Sequence, residues 1–181
     1  MYWRDRTLNT LAQVKERVRY EGYLALLKRS RDRKSRLVPA APPPTSSAVT
    51  AAMRGNRRVD TRPELLVRRT LHQLGYRYRL HAQNLPGRPD IIFPTQRCVV
   101  QVRGCFWHQH SDRNCPLRSR PRTNKDYWNA KLARNVVRDQ AQDMQLRVLG
   151  WKVFTIWECE TRDSDRLQAK IRVLTSYLKV R

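Results

Sequence analysis

The segment Gly104-Cys-Phe-Trp-His-Gln-His-Ser-Asp-Arg-Asn-Cys115 holds two Cys, two His and two large aromatics. Thiolate and imidazole are the preferred ligands of Zn²⁺, and a closed structural site takes four of them. Cys105, His110 and Cys115 offer three from one loop, and Cys159, in Trp157-Glu-Cys159, offers a fourth. A disulfide framework is the rival use of these thiols, but nothing in the chain points to an oxidising compartment. Cys98, between Arg97 and Val99 in an apolar run, reads as a small core residue. His108 is left outside the ligand set, and an imidazole that titrates near neutrality suits general-base work on water. Such a base works best when a carboxylate fixes its tautomer. Asp139, in Arg134-Asn-Val-Val-Arg138-Asp139, is a candidate for that role, set against the plain alternative of a solvated helix position.

Carboxylates are scarce enough here to be informative. The 181 residues include 38 Lys and Arg against 15 Asp and Glu, a net charge of +23. Asp90 follows Leu85-Pro-Gly-Arg-Pro89, and the next β-rich run contains Gln101-Val-Arg103. This is a degenerate form of a pattern used by metal-dependent nucleases, Pro-Asp at one strand start and acid-x-Lys on its neighbour. The carboxylate in that pattern holds Mg²⁺ beside the scissile phosphate. Here Gln stands for the second acid and Arg for Lys, and a guanidinium stays protonated, so it cannot serve as a base. The plain alternative makes Asp90 a turn or cap residue. Glu64, third after Thr61 in a capping box, either caps its helix or joins Asp90 in an acidic site. Phe106, Trp107 and Trp128 are core residues on the ordinary reading. For Phe106 and Trp107, on a basic, ligand-rich loop, the sequence favours wedges that unstack a base step. Trp151 and Trp157 read as core.

The elements that must position these groups follow from pattern. Thr61-Arg-Pro-Glu64 starts a helix with Val67, Leu71 and Leu74 on one face, ended by Gly75. Tyr76 to Leu80, Asp90 to Phe93 and Arg97 to Val102 read as strands. Asn124 to Leu149 is long enough for one or two helices, Lys152 to Trp157 reads as a buried strand, and Asp163 to Leu178 as a terminal helix. That order is an α/β domain with a small mixed sheet flanked by helices. Ahead of it, residues 37–52 are rich in Pro, Ala, Ser and Thr and read as a linker. Residues 1–36 form a basic extension with 11 basic and 4 acidic side chains (+7) and a helical pattern over 7–29. The domain proper is then 53–181. The mean hydropathy of −0.76 and the lack of a long apolar run exclude a membrane-spanning helix, and no secretory signal opens the chain. So basic a chain takes a polyanion as partner, nucleic acid first; no amphipathic helix suits an anionic membrane, and no motif suits RNA.

Leu85-Pro-Gly-Arg-Pro-Asp90, Gly104-Cys-Phe-Trp-His108-x-His110, Tyr127-Trp128, Asn135-x-x-Arg138-Asp139, Gly150-Trp151 and Trp157-Glu-Cys159 together resemble the very short patch repair (Vsr) endonucleases over roughly residues 53–160. The resemblance implies a restriction-endonuclease-like fold with a structural zinc site. It also implies an Mg²⁺-dependent enzyme that nicks one DNA strand beside the T of a T:G mismatch left by deamination of 5-methylcytosine. By the same resemblance Asp90 and the backbone carbonyl of Val102 hold Mg²⁺, His108 activates water with Asp139 paired to it, and Glu64 matches an active-site acid. Cys105, His110, Cys115 and Cys159 fall on the zinc ligands, and Phe106, Trp107 and Trp128 on intercalating aromatics. Arg103, counted with the DNA-binding residues, replaces a His and so removes a proton-transfer or phosphate-contacting group while leaving a cation that can stabilise the phosphorane charge. The His110–Cys115 gap is longer than in the best-studied members, which makes Asp112 a conceivable substitute ligand. A bacterial cytoplasm, a monomer, duplex DNA as partner and mismatch-repair proteins as further candidate partners complete the expectation. The rivals are a zinc-stabilised DNA-binding module without catalysis and a restriction-type nuclease without mismatch specificity.

Overall fold

The computed structural model describes residues 39–44, 46, 47, 50, 51, 55, 57 and 59–179; the basic extension at 1–36 lies outside them. Within the expected linker, residues 47, 50 and 51 are helical, and the Thr50 amide donates to the Ser46 carbonyl at 3.1 Å. The domain then runs α1 (Arg62–Gln73), β1 (Ile91–Phe93), β2 (Cys98–Arg103), α2 (Lys125–Val148), β3 (Lys152–Trp157), α3 (Glu158–Thr161) and α4 (Ser164–Lys179). The sheet order is β1-β2-β3, with β1 antiparallel and β3 parallel to β2. It is therefore a mixed three-stranded sheet flanked by helices.

Alternation along the strands assigns the two faces. Ile91, Phe93, Cys98, Val100, Val102 and Ile156 pack with Val67 and Leu71 of α1 and with Leu167, Ile171, Leu174 and Leu178 of α4. Ile92 and Val99 face the other way, onto Leu146 of α2, Leu85 and Trp151. β2 is central and covered on both sides, which is why Cys98-Val-Val-Gln-Val reads as a continuous buried run. Gln101 and Arg103 have the parity of Val99 and so belong to the α2 face. β3 is an edge strand and is mostly half-exposed, so the expectation of a buried strand is corrected there. Tyr76 to Leu80 is not a strand either. It makes a single bridge, Arg79 to Ile92, because the antiparallel partner β1 is three residues long.

The Asp90 approach is turn chemistry. Arg88 donates its amide to the Leu85 carbonyl at 3.2 Å, with Pro86 and Gly87 at the turn centre. Gly87 has φ +73°, which a type II turn requires at this position. A Cβ there would also meet the Gln142 side chain of α2 at 2.8 Å. Gly87→Ala should therefore cost roughly 1–3 kcal/mol of stability, read from urea unfolding curves; an unchanged midpoint would show that the turn is not constrained.

Candidate active site and metal cluster

β2 and β3 end level, with Arg103 opposite Trp157. Two residues beyond each strand end lie Cys105 and Cys159, and the Cys159 amide donates to Cys105 Sγ at 3.4 Å. The loop after β2 turns tightly, with the His108 amide on the Gly104 carbonyl (3.1 Å) and the His110 amide on the Cys105 carbonyl (3.0 Å). His110 Nδ1 thereby comes to 3.6 Å from Cys159 Sγ, and Cys115 closes the group. One ligand atom from each of Cys105, His110, Cys115 and Cys159 lies within 4.8 Å of all the others. The four are buried, and all four cysteines of the chain are free thiols in this arrangement. Burial pushes the Cys105 thiol up to about 12, raises Cys159, and holds His110 below the usual imidazole range. A pocket of three sulfurs and one nitrogen with these shifts can hold a metal cation, which would replace the thiol protons.

On the α2 side of the same edge lies a cleft of about 1390 Å³ lined by Glu64, Asp90, Val102, Arg103, Trp107, His108 and Asp139, among others. Asp90 sits where the β1–β2 ladder begins, and its Oδ2 accepts from the Val102 amide at 2.7 Å. Burial pushes its carboxyl up to about 6; the Val102 amide opposes this, while the charge on Glu64 adds to it. Every other carboxylate lining the cleft has an ion-pair partner: Asp60 and Glu64 share Arg68, Glu158 has Arg162, and Asp139 has Arg138 and His108. Asp90 alone among the described cleft carboxylates lacks one. A buried carboxylate without a cation is a costly arrangement unless a cation or proton arrives.

His108 comes from the loop and Asp139 from α2, and Nδ1 lies 2.5 Å from Asp139 Oδ2. With Nδ1–H donating, Nε2 is the lone-pair nitrogen of the ring. The other oxygen of Asp139 accepts from Arg138 Nη2 at 2.9 Å. Burial opposes ionisation of Asp139, but the hydrogen bonds and charges of His108 and Arg138 outweigh it and hold the carboxyl below the ordinary range. The solvated-helix alternative for Asp139 is overturned, since the residue is 6% exposed. Asp143 follows it by four residues on the same helix face. It takes Arg103 at 2.6 Å in a largely buried pair, so the guanidinium is tied to α2. Sequence reasoning missed Asp143, although its i+4 spacing from Asp139 and the parity of Arg103 together point to it.

Glu64 is a cap and a cleft residue at once. Its Oε1 accepts from the Thr61 hydroxyl (2.8 Å), and Oε2 accepts from the Asp60 amide (3.0 Å) and from Arg68 Nη2 (2.9 Å). Sequence reasoning also missed Arg68, which bridges Asp60, Glu64 and the ring of His81. Phe106, Trp107 and Trp128 form one group, with ring centroids 4.9–6.1 Å apart, and they are half-buried rather than core. Lys131, unremarked in the sequence, lies over Trp107, Tyr127 and Trp128 at 5.1–5.6 Å. Trp151 is core as expected, whereas Trp157 is half-exposed and stacks on the His110 ring at 4.3 Å.

The His108–Asp139 pair has a signature in stability. A carboxyl whose folded pKa is depressed stabilises the fold above its ordinary value near 4 and loses that contribution as pH falls through the folded value. Asp139→Asn should therefore lower the unfolding free energy at pH 7 by an amount that shrinks towards pH 3 in urea titrations. A pH-independent difference would remove the ion pairs as its cause.

A family model, DNA mismatch endonuclease Vsr, matches residues 45–114. A type II nicking enzyme of Xanthomonas oryzae pv. oryzae is 46% identical over 113 residues, which is 62% of this chain and 81% of that protein. A type II nicking enzyme of Neisseria meningitidis is 35% identical over 120 residues, 66% of this chain and 84% of that one. The DNA mismatch endonuclease Vsr of Escherichia coli is 38% identical over 108 residues, 60% of this chain and 67% of that one. Asp90, Cys105, His108 and His110 thus lie within the residues that the family model matches, and the chain belongs to the Vsr family of DNA mismatch endonucleases.

Proposed function

We propose that this endonuclease nicks one strand of duplex DNA beside the thymine of a T:G mismatch, the product of 5-methylcytosine deamination, in very short patch repair. The observation that carries the reading is the one unpaired cleft carboxylate, Asp90, beside a His108 imidazole already held by Asp139. We assign Asp90 and the backbone carbonyl of Val102 to a Mg²⁺ site, since a buried carboxylate with a raised pKa and a carbonyl are the hard oxygen donors this ion takes. Bound Mg²⁺ would polarise the phosphate and favour ionisation of water.

His108 then acts as general base. Its Nε2 takes a proton from the attacking water, the water oxygen bonds to phosphorus, and one phosphorus–oxygen ester bond breaks to leave the nick, the departing oxygen taking a proton from solvent water. Asp139, kept ionised by its depressed pKa, faces the imidazolium that forms. Glu64, saturated by Thr61, Asp60 and Arg68, forms the acidic wall behind Asp90. Arg103, held by Asp143, contributes a fixed positive charge to the pentacovalent phosphorane rather than a freely reaching contact. Phe106, Trp107 and Trp128 enter the duplex at the mismatch as one prebuilt wedge. The cysteine cluster takes Zn²⁺ as a structural ion, which the three-sulfur, one-nitrogen donor set suits.

We further assign the domain to residues 53–181, with a restriction-endonuclease-like fold, a linker at 37–52 and a basic extension at 1–36. It acts as a monomer in the bacterial cytoplasm. No helix among the described residues is long and apolar enough to cross a membrane.

Paired duplexes differing only by T:G or C:G test this directly. With Mg²⁺, a single nick beside the mismatched T is expected, and EDTA should abolish it. Equal cutting of both duplexes would sink the repair reading, and tight binding without a nick would favour a module inactivated through Gln101 and Arg103. Asp90→Ala should lose nicking while keeping binding, and at limiting Mg²⁺ the wild-type rate should fall as pH drops below about 6, where a proton competes with the cation for the metal-free Asp90 carboxylate. Metal analysis should find one zinc per chain, lost together with thermal stability in Cys105→Ser; a zinc-free, fully folded protein would remove the cluster assignment.

A further inference from the structure

From the last turn of the cysteine loop to the first residue of α2 the chain carries Arg113, Arg118, Arg120, Arg122 and Lys125 within 13 residues, flanked by Asp112 and Asp126. The segment is held at both ends. Cys115 is buried in the cysteine cluster with Leu117 packed against it, and Tyr127 and Trp128 open α2 inside the aromatic group. Pro116 and Pro121 limit the backbone between these anchors. Arg118, Arg120 and Arg122 alternate with Ser119 and Pro121 in a stretch without regular structure.

Their charge is uncommitted. Of the cleft cations, Arg103 and Arg138 face carboxylates, while Arg62, Arg88 and Arg134 make no ion pair among the described residues. None of the five cations of this segment makes an ion pair among the described residues, and four of them are exposed. Of the two flanking acids, Asp112 is turned to its own loop, where it accepts from the Asn114 amide at 2.9 Å. A tethered row of unpaired guanidinium groups beside an aromatic wedge suits a polyphosphate backbone, which takes Arg by paired hydrogen bonds without reading sequence.

We propose that residues 113–125 form a phosphate-binding arm that grips the duplex backbone beside the point where the aromatic group enters. This rests on duplex DNA as the substrate, and it concerns affinity and register rather than the cutting step.

The experiment is equilibrium binding of the full chain to a matched duplex, by fluorescence anisotropy in Mg²⁺-free buffer without chelator over 50–300 mM salt, so that no nicking enters the readout and the cysteine cluster keeps its metal. Each lost phosphate contact lowers the slope of log K against log salt by about 0.9. Changing Arg118, Arg120 and Arg122 together to Ala should reduce the slope by about 2–3 and weaken binding at least tenfold at 150 mM. The triple Lys variant should keep the slope. A control that removes three exposed cations elsewhere, Arg147, Lys152 and Arg172, should change it by less than one. An unchanged slope in the arm variant, or an equal loss in the control, would overturn the proposal. A wild-type protein that binds the matched duplex steeply but nicks no T:G duplex would instead fault the catalytic reading and leave the arm standing.

Discussion

The level ending of two parallel strands governs where everything else can lie. Because β2 and β3 run the same way and finish together at Arg103 and Trp157, the segments leaving them emerge from one edge of the sheet. An antiparallel pair would have sent them to opposite edges, and Cys105 could not have met Cys159. A parallel pair also demands a crossover, and here α2 supplies it, returning across the sheet face that carries Gln101 and Arg103. The same constraint that builds the cysteine cluster therefore delivers Asp139 and Asp143 to the cleft. Strand period two brings Arg103 to Asp143, and the helix spacing of four sets Asp139 on the same face, where the loop after β2 delivers His108.

Charge compensation then separates the acidic residues into classes. In a chain of net charge +23, most of the carboxylates at the cleft are neutralised by a nearby cation, and two of the surrounding ion pairs fix one segment to another: Arg68 ties Asp60, in the approach, to α1, and Arg103 ties β2 to α2. These pairs are architecture. Asp90 is held by a backbone amide instead, which orients the carboxylate without cancelling its charge. Its elevated pKa expresses that difference, and so does its suitability for an exchangeable cation.

Much of this was legible before any coordinates. The turn Leu85-Pro-Gly-Arg, the N-terminal cap at Thr61 and the long α2 pattern are local signals, and they appear where spacing puts them. The four ligands of the cysteine cluster were legible because thiol and imidazole clustering is rare in a chain with four Cys and four His. What the sequence hid depends on distant neighbours. Tyr76 to Leu80 has strand composition but lacks a partner long enough to pair with, and β3 is apolar yet lies at a sheet edge. Arg103 looked free for phosphate until strand parity set it opposite Asp143. Lys131 gave no signal at all, since one lysine on a basic helix is unremarkable until three aromatic rings surround it.

The meeting of Cys105 with Cys159 spans 54 positions of chain, and α2 lies wholly inside that interval. Closing a loop of this size costs the unfolded chain about 3.5 kcal/mol of entropy, apart from a constant. During synthesis Cys105, His110 and Cys115 leave the ribosome well before their fourth companion, and the central strand precedes its parallel neighbour by the same delay. The edge that carries the cleft is consequently among the last parts of the molecule able to assemble, and the loop of Cys105 to Cys115 must wait for a strand not yet made before its cluster can close.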